Sequence, residues 1–296
     1  MWITIDQQIP STIAEVTMRT SIALSLVALI VAFATATAQE RPPMKTYPAF
    51  WQQGGHCRQD NIDLKKIGQG LVRAKVEGKW REFPVQRLSD KFMQWNFRER
   101  LKTIEVLKQG GMPSFAGPHS GMVASHGFRR DDGRFAINNA VKGMGFLPVK
   151  QHLPELLAEI RAAADSSEEY KFAWLTRLYT ERRDWLDDTK LASLELYATP
   201  QFATHTFLNQ MTDPGVSIVF LDMLSFEVRA VTQLIDPRDP GLSGDDRQVA
   251  DYVNGIHDFF HGAAPRPSIV AVYHVVELYD NSPGRGRGVR VVPPLP

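Results

Sequence analysis

Leu191-Ala192-Ser193-Leu194-Glu195-Leu196-Tyr197-Ala198 is the stretch from which the architecture of this chain is read. Leu194, Leu196 and Ala198 alternate with Ser193, Glu195 and Tyr197, the period-two pattern of a half-buried strand. Thr199-Pro200 then opens a short helix reaching Met211, and Thr212-Asp213-Pro214-Gly215 closes it. Val216 to Met223 is apolar on both faces, as in a strand covered on both sides. Phe226 to Leu234 alternates again, with Glu227, Arg229 and Gln233 opposite Val228, Ala230 and Leu234. After the breakers Pro237, Pro240 and Gly241, Ser243 followed by Asp245 and Asp246 predicts a helix start. A hydroxyl cap satisfies the first free N–H groups, and early carboxylates favour the positive end of the dipole. Val249, Tyr252, Val253, Ile256 and Phe260 form its apolar stripe, and Gly262 stops it. Ile269 to Tyr279, β-branched and aromatic, is the last strand.

The order strand, helix, strand, strand, helix, strand predicts a ferredoxin-like βαββαβ unit over 189–280. Its two helices would lie on one face of an antiparallel sheet. The fold class expected is therefore α+β, with this unit preceded by a mixed α/β N-terminal half at 61–188. In that half, Leu71–Val76 and Lys79–Val85 flank Glu77-Gly78, a hairpin signal. Ser89 caps a helix running to Gln109, and Gly110-Gly111 ends it. Gly111 to Gly127 reads as a long Gly/Pro/Ser/His loop and Lys142 to Val149 as a second loop. Helices are expected at Pro154–Ala164 and Glu168–Leu186, the latter capped by Ser166-Ser167 and ended by Asp187-Asp188-Thr189. The recurring order of elements raises the idea of a divergent second copy of the C-terminal fold, although no residues match between the halves.

Outside these regions the chain is extended. Residues 39–60 are rich in Pro, Gln and Gly, with Tyr47, Phe50 and Trp51 as aromatic anchors, and 281–296 forms a tail expected to be extended. Met18-Arg19-Thr20, the apolar run Ile22–Phe33 and Ala36-Thr37-Ala38 have the layout of a secretory signal peptide at 18–38. The apolar run is shorter than the ~20 residues of a spanning helix. Residues 1–17 then read as an upstream extension. Cys57 is the one cysteine, so no intrachain disulfide can form. An exported protein without disulfides points to a bacterial periplasm, or to secretion, with no stable membrane span after cleavage. The sequence carries 34 basic and 33 acidic residues. Cleavage after Ala38 would remove one basic and two acidic residues, leaving a net charge of +2. Nucleic acid is not an expected partner at that balance.

Three groups of side chains could carry chemistry. His257 and His261 lie four apart on one helix face and could share a transition metal or flank a haem. Asp258, His274 or a loop residue would have to complete such a site; otherwise His261 is a helix-end histidine opposite the negative end of the dipole. His119 and His126, in the glycine-rich loop, could chelate a metal or bind an anion with backbone N–H groups. Glu195, Glu227 and Arg229 would meet on the open sheet face if the first and third strands of the ferredoxin-like unit are neighbours, giving a perturbed carboxylate for acid/base work. A thiol at Cys57 beside His56 is a fourth, weaker nucleophile or ligand.

No Gly-x-Gly-x-x-Gly after a strand, P-loop, Gly-x-Ser-x-Gly elbow, Cys-x-x-Cys-His or His-Glu-x-x-His occurs. The expectation is thus an exported ligand- or partner-binding module acting through the open face of the sheet. The alternatives are a metal- or haem-dependent redox enzyme using His257 and His261, and a structural or assembly protein of the cell envelope. Through the same face the chain could also form a homo-oligomer. Whether it is an enzyme is left open by these residues.

Overall fold

The hairpin expected around Glu77-Gly78 forms. Strands β2 (Leu71–Val76) and β3 (Lys79–Pro84) pair antiparallel, and β1 (Ile62–Asp63) adds to β2 to make a three-stranded sheet. Glu77 and Gly78 both carry positive φ, +52° and +75°, as a turn matched to the strand twist requires. The computed structural model describes residues 46–284 and 288–295. The expected upstream extension and signal peptide, 1–38, lie outside the described residues, and Lys45–Pro296 is one compact unit.

Helix α1 (Asp90–Lys108) starts where Ser89 predicts, its hydroxyl accepting from the Phe92 N–H at 3.3 Å. Phe92 and Trp95 are buried against Phe220 and Phe226, with ring centroids 5.1 to 6.0 Å apart. Then follow β4 (Ser120–His126), β5 (Ile137–Gly143), β6 (Gly145–Pro148), α2 (Leu153–Ala162) and α3 (Glu168–Thr180). The last third contains β7 (Leu186–Glu195), α4 (His205–Thr212), β8 (Gly215–Phe220), β9 (Phe226–Ile235), α5 (Gly244–His261), β10 (Ile269–Asp280) and β11 (Val289–Val292). Ser243 caps α5, accepting from Asp246 N–H at 3.1 Å. The class is α+β, as expected.

The spatial order of the large antiparallel sheet is β5-β4-β8-β9-β10-β7-β6, with β11 also on β10. Strands from both sides of residue 189 therefore share one sheet. The connectivity β7-α4-β8-β9-α5-β10 matches the predicted element string, but the first and third strands, β7 and β9, are not neighbours. β10 lies between them, paired to β9 along one edge and to β7 along the other. The reason is burial: β10 is apolar on both faces from Ile269 to Val272 and again at Val275, all of them buried, so it takes the covered centre.

The two helices also lie on opposite faces, where one face was expected. Tyr273 and His274 are successive on β10 and so point oppositely. Tyr273 hydrogen-bonds Ser193 at 2.9 Å and lies beside Gln210 of α4. His274 meets Gln233 at 3.2 Å, and the Gln233 amide donates to Asp246 of α5 at 2.9 Å. The inner face curls around Val123, Ile218, Val228, Tyr273 and Leu191, all fully buried. Its curl brings Lys142 of β5 within 2.7 Å of Glu195 on β7.

Other expectations shift too. The supposed loop 111–127 contains strand β4, and 142–149 contains the end of β5 and all of β6. β7 starts at Leu186, where a helix end was expected, and the tail supplies β11. The lead packs by its rings as expected: Tyr47 and Phe50 lie edge-on to Phe128 at 5.2 and 5.4 Å, and Trp51 stacks on Phe207 at 5.2 Å. Cys57 is buried, its N–H donating to Asp236 at 2.9 Å. Burial pushes its thiol well up, with the Asp236 carboxylate adding to the shift, so it is not an activated nucleophile.

Candidate functional site

Two concavities stand out on this frame. The first is a groove of about 860 Å³ between the outer face of β4, β8 and β9 and the β2–β3 hairpin. Alternation puts Ala124, Ser217 and Val231 outward, where they line its floor with Val276, while Val76 and Phe83 of the hairpin form a wall. Ala124 and Ser217 are directly opposed across the β4–β8 pair. Ile137 on β5 also lines it, and Val141 on the same face of β5 continues the apolar surface, 69% and 68% exposed.

Glu77, His126, Arg229 and Glu277 stand at its polar margin. Arg229 donates to Glu227 at 2.9 Å and to Glu277 at 3.4 Å, and its guanidinium lies 4.3 Å from the centre of the Tyr279 ring. Ser217 also donates to Glu227, and Tyr279 and Arg290 to Glu277. These carboxylates are thus held by cations and hydroxyls in a network. Tyr279 is raised above the ordinary phenol value by burial and by its bond to Glu277.

Glu195 does not join that network. It is fully buried on the inner face, with Oε2 accepting from Lys142 and, at 3.4 Å, from Thr204. The adjacency expected between Glu195 and Glu227–Arg229 required β7 beside β9, and β10 separates them. Lys142 was not singled out in the sequence, where it reads as a loop lysine. Its one signal is that it shares an inward parity with Asn138 and Ala140 on β5.

The second concavity, about 520 Å³, opens beneath the last turns of α5, with α1, α3 and the β6–β7 end of the sheet completing its walls. Its lining includes Ile104, Phe146, Leu194, Val253 and Phe260, together with His119, His257 and His261. The tertiary structure therefore brings one loop histidine into the same cavity as the α5 pair. His126 is left apart at the groove margin, 3.9 Å from Asp213.

The His257 and His261 rings are 4.9 Å apart. His257 Nδ1 lies 3.3 Å from the Asp258 carboxylate, which also accepts from the Ala264 N–H at 3.2 Å. Burial, then the neighbouring His257, holds His261 below the ordinary imidazole value. His119 is lowered by burial, with the Arg100 charge adding to the effect. Its Nε2–H donates to the Ser114 carbonyl at 2.7 Å, and Nδ1 is enclosed without a partner.

Arg100, unremarked in the sequence, anchors this wall. Its guanidinium donates to Asn96 at 2.6 Å and to the carbonyls of Met144 and Pro118 at 2.7 and 2.9 Å. The available signal was Asn96 and Arg100, one turn apart, interrupting the buried face of α1. His274, considered as a third ligand for the α5 pair, lies under the first turn of α5, not the last. Among the described residues, no three His, Cys, Asp or Glu side chains gather as a metal cage, and no helix is long and apolar enough to cross a membrane.

No protein-family model matches the chain, and no curated protein matches it by sequence. Among solved structures, it is similar to HupZ of Group A Streptococcus, with a TM-score of 0.31 and 12% identity, covering 63% of this chain and 97% of that one. A likeness at that level carries no argument about fold, ligand or activity.

Proposed function

We propose that this protein is an exported ligand- or partner-binding module whose site is the groove on the outer face of its large sheet. The observation that carries this is the groove itself: about 860 Å³, with Ala124, Val231 and Val276 in its floor and Val76 and Phe83 in its wall, rimmed by Glu77, His126, Arg229 and Glu277. Pockets of that size with a few polar groups at the margin are the usual form of small-molecule sites. The paired carboxylates around Arg229 favour binding over acid/base catalysis, because each is engaged by a cation or a hydroxyl. Export to a periplasm belongs to the same proposal and rests on the signal-peptide layout of 18–38.

The test uses a neutral apolar fluorophore, N-phenyl-1-naphthylamine. Ala124→Trp with Ser217→Trp places two indoles on the groove floor from outward positions, leaving the inner core intact. The wild-type chain should bind the dye saturably, and the double variant should bind it about tenfold more weakly at unchanged thermal stability, about 1.4 kcal/mol of lost affinity. Equal affinity in the two proteins, or no saturable binding by either, would sink the proposal.

A further inference from the structure

We infer that the cavity beneath α5 is a separate binding site for an iron tetrapyrrole, with the His257–His261 pair supplying an axial imidazole at its mouth. The cavity, about 520 Å³, lies in the size range of cofactor pockets. Its walls, from Ile104, Phe146, Leu194, Val253 and Phe260, are apolar surfaces suited to the faces of a macrocycle.

The imidazoles are prepared as ligands. Nδ1 of His257 faces the Asp258 carboxylate at 3.3 Å, and a ring that donates there presents Nε2 to a metal. A carboxylate behind a ligating histidine fixes the ring and raises its basicity. The His261 ring lies 4.9 Å away on the next turn of α5 and lines the same cavity, so either imidazole of the pair can face its interior. His119 is not assigned as the ligand, since its Nε2–H is committed to Ser114 and its Nδ1 is enclosed.

The donor count selects the class of ligand. A bare zinc ion in a closed site takes four protein donors, and a catalytic one takes three. Among the described residues no such group of three forms. An iron that already carries four in-plane nitrogens needs only one or two axial ligands, which is what the pair offers. Binding is a ligand exchange: one imidazole lone pair replaces a solvent oxygen on ferric iron, with no change of oxidation state.

The experiment titrates the full chain, without a histidine tag, with ferric haem and follows the Soret band. A saturable one-to-one shift is expected, weakened at least about tenfold in His257→Ala with His261→Ala and unaffected by the groove substitutions at Ala124 and Ser217. Circular dichroism establishes that the double-histidine variant is folded. A double-histidine variant with unchanged spectrum and affinity would show mere apolar adsorption and overturn the inference. So would the absence of any saturable shift, or stoichiometric binding of zinc(II) by a chain that takes no haem. Leu194→Trp, which adds bulk to the cavity wall and leaves both histidines in the sequence, should lower haem affinity independently.

Discussion

His274 sits in the middle of β10 with its ring enclosed, opposite Lys190 across the β7 pair and hydrogen-bonded to Gln233. Burial, with the Lys190 charge adding to it and Asp187 partly offsetting it, depresses its pKa from 6.5 to about 4. Asp246 of α5 is reached only through Gln233. Between these two values the unfolded chain binds more protons at this residue than the folded one. Its contribution is therefore complete above the ordinary histidine value and lost as pH falls to the depressed one, on the order of 3 kcal/mol in all. Urea denaturation at about pH 7 and about pH 4.5 should show that loss in the wild type and a smaller one in His274→Gln. The same slope in both proteins would refute the assignment. His274 was legible as a histidine on a strand, but its neighbours were not, because β7, β9 and α5 reach it from distant parts of the chain. Glu195 makes the same point: its sequence context reads as an exposed strand position, and only the curl supplies Lys142.

Among the elements, the capped helices were the most legible. Ser89, Ser167 and Ser243 each accept from the N–H three residues on, as the local pattern predicted. Strand β4 was hidden because its residues are mostly Gly, Ser, Ala and His, types that read as a loop. Their smallness has a cause in packing. A Cβ on Gly121 would lie 2.9 Å from Ile218 Cγ2 and from Met144 Cε, closer than side-chain carbons approach. Gly121→Ala should therefore destabilise by roughly 1–3 kcal/mol through overpacking. A melting temperature equal to wild type would show that Met144 moves aside freely and that the close approach is not required. The β2–β3 hairpin is the opposite case, since a two-residue Glu77-Gly78 turn carries its geometry locally.

For the whole molecule, one sheet unites strands that precede residue 189 with those that follow it. β8 is flanked by β4 as well as β9, and β7 by β6 as well as β10. Phe220 and Phe226 are covered by α1. A fragment of 189–296 alone should consequently lack a cooperative thermal transition, whereas the full chain melts with one; circular dichroism of the two decides it. A cooperatively folding fragment would restore the C-terminal region as an independent domain. What the sequence determined by itself was the α+β class, the element string of the last third, the Ser89, Ser167 and Ser243 caps and the hairpin turn. Those follow from hydrophobic period and from hydrogen bonds between residues a few positions apart. The helix expected to open at Thr199-Pro200 starts instead at His205 under a Thr204 cap. Only the tertiary structure decided which strands are neighbours, which face each helix covers, and that His119 shares a cavity with His257 and His261. Strand order is set by which apolar surfaces are buried together, and a period-two pattern gives a strand's two faces without naming what will cover them.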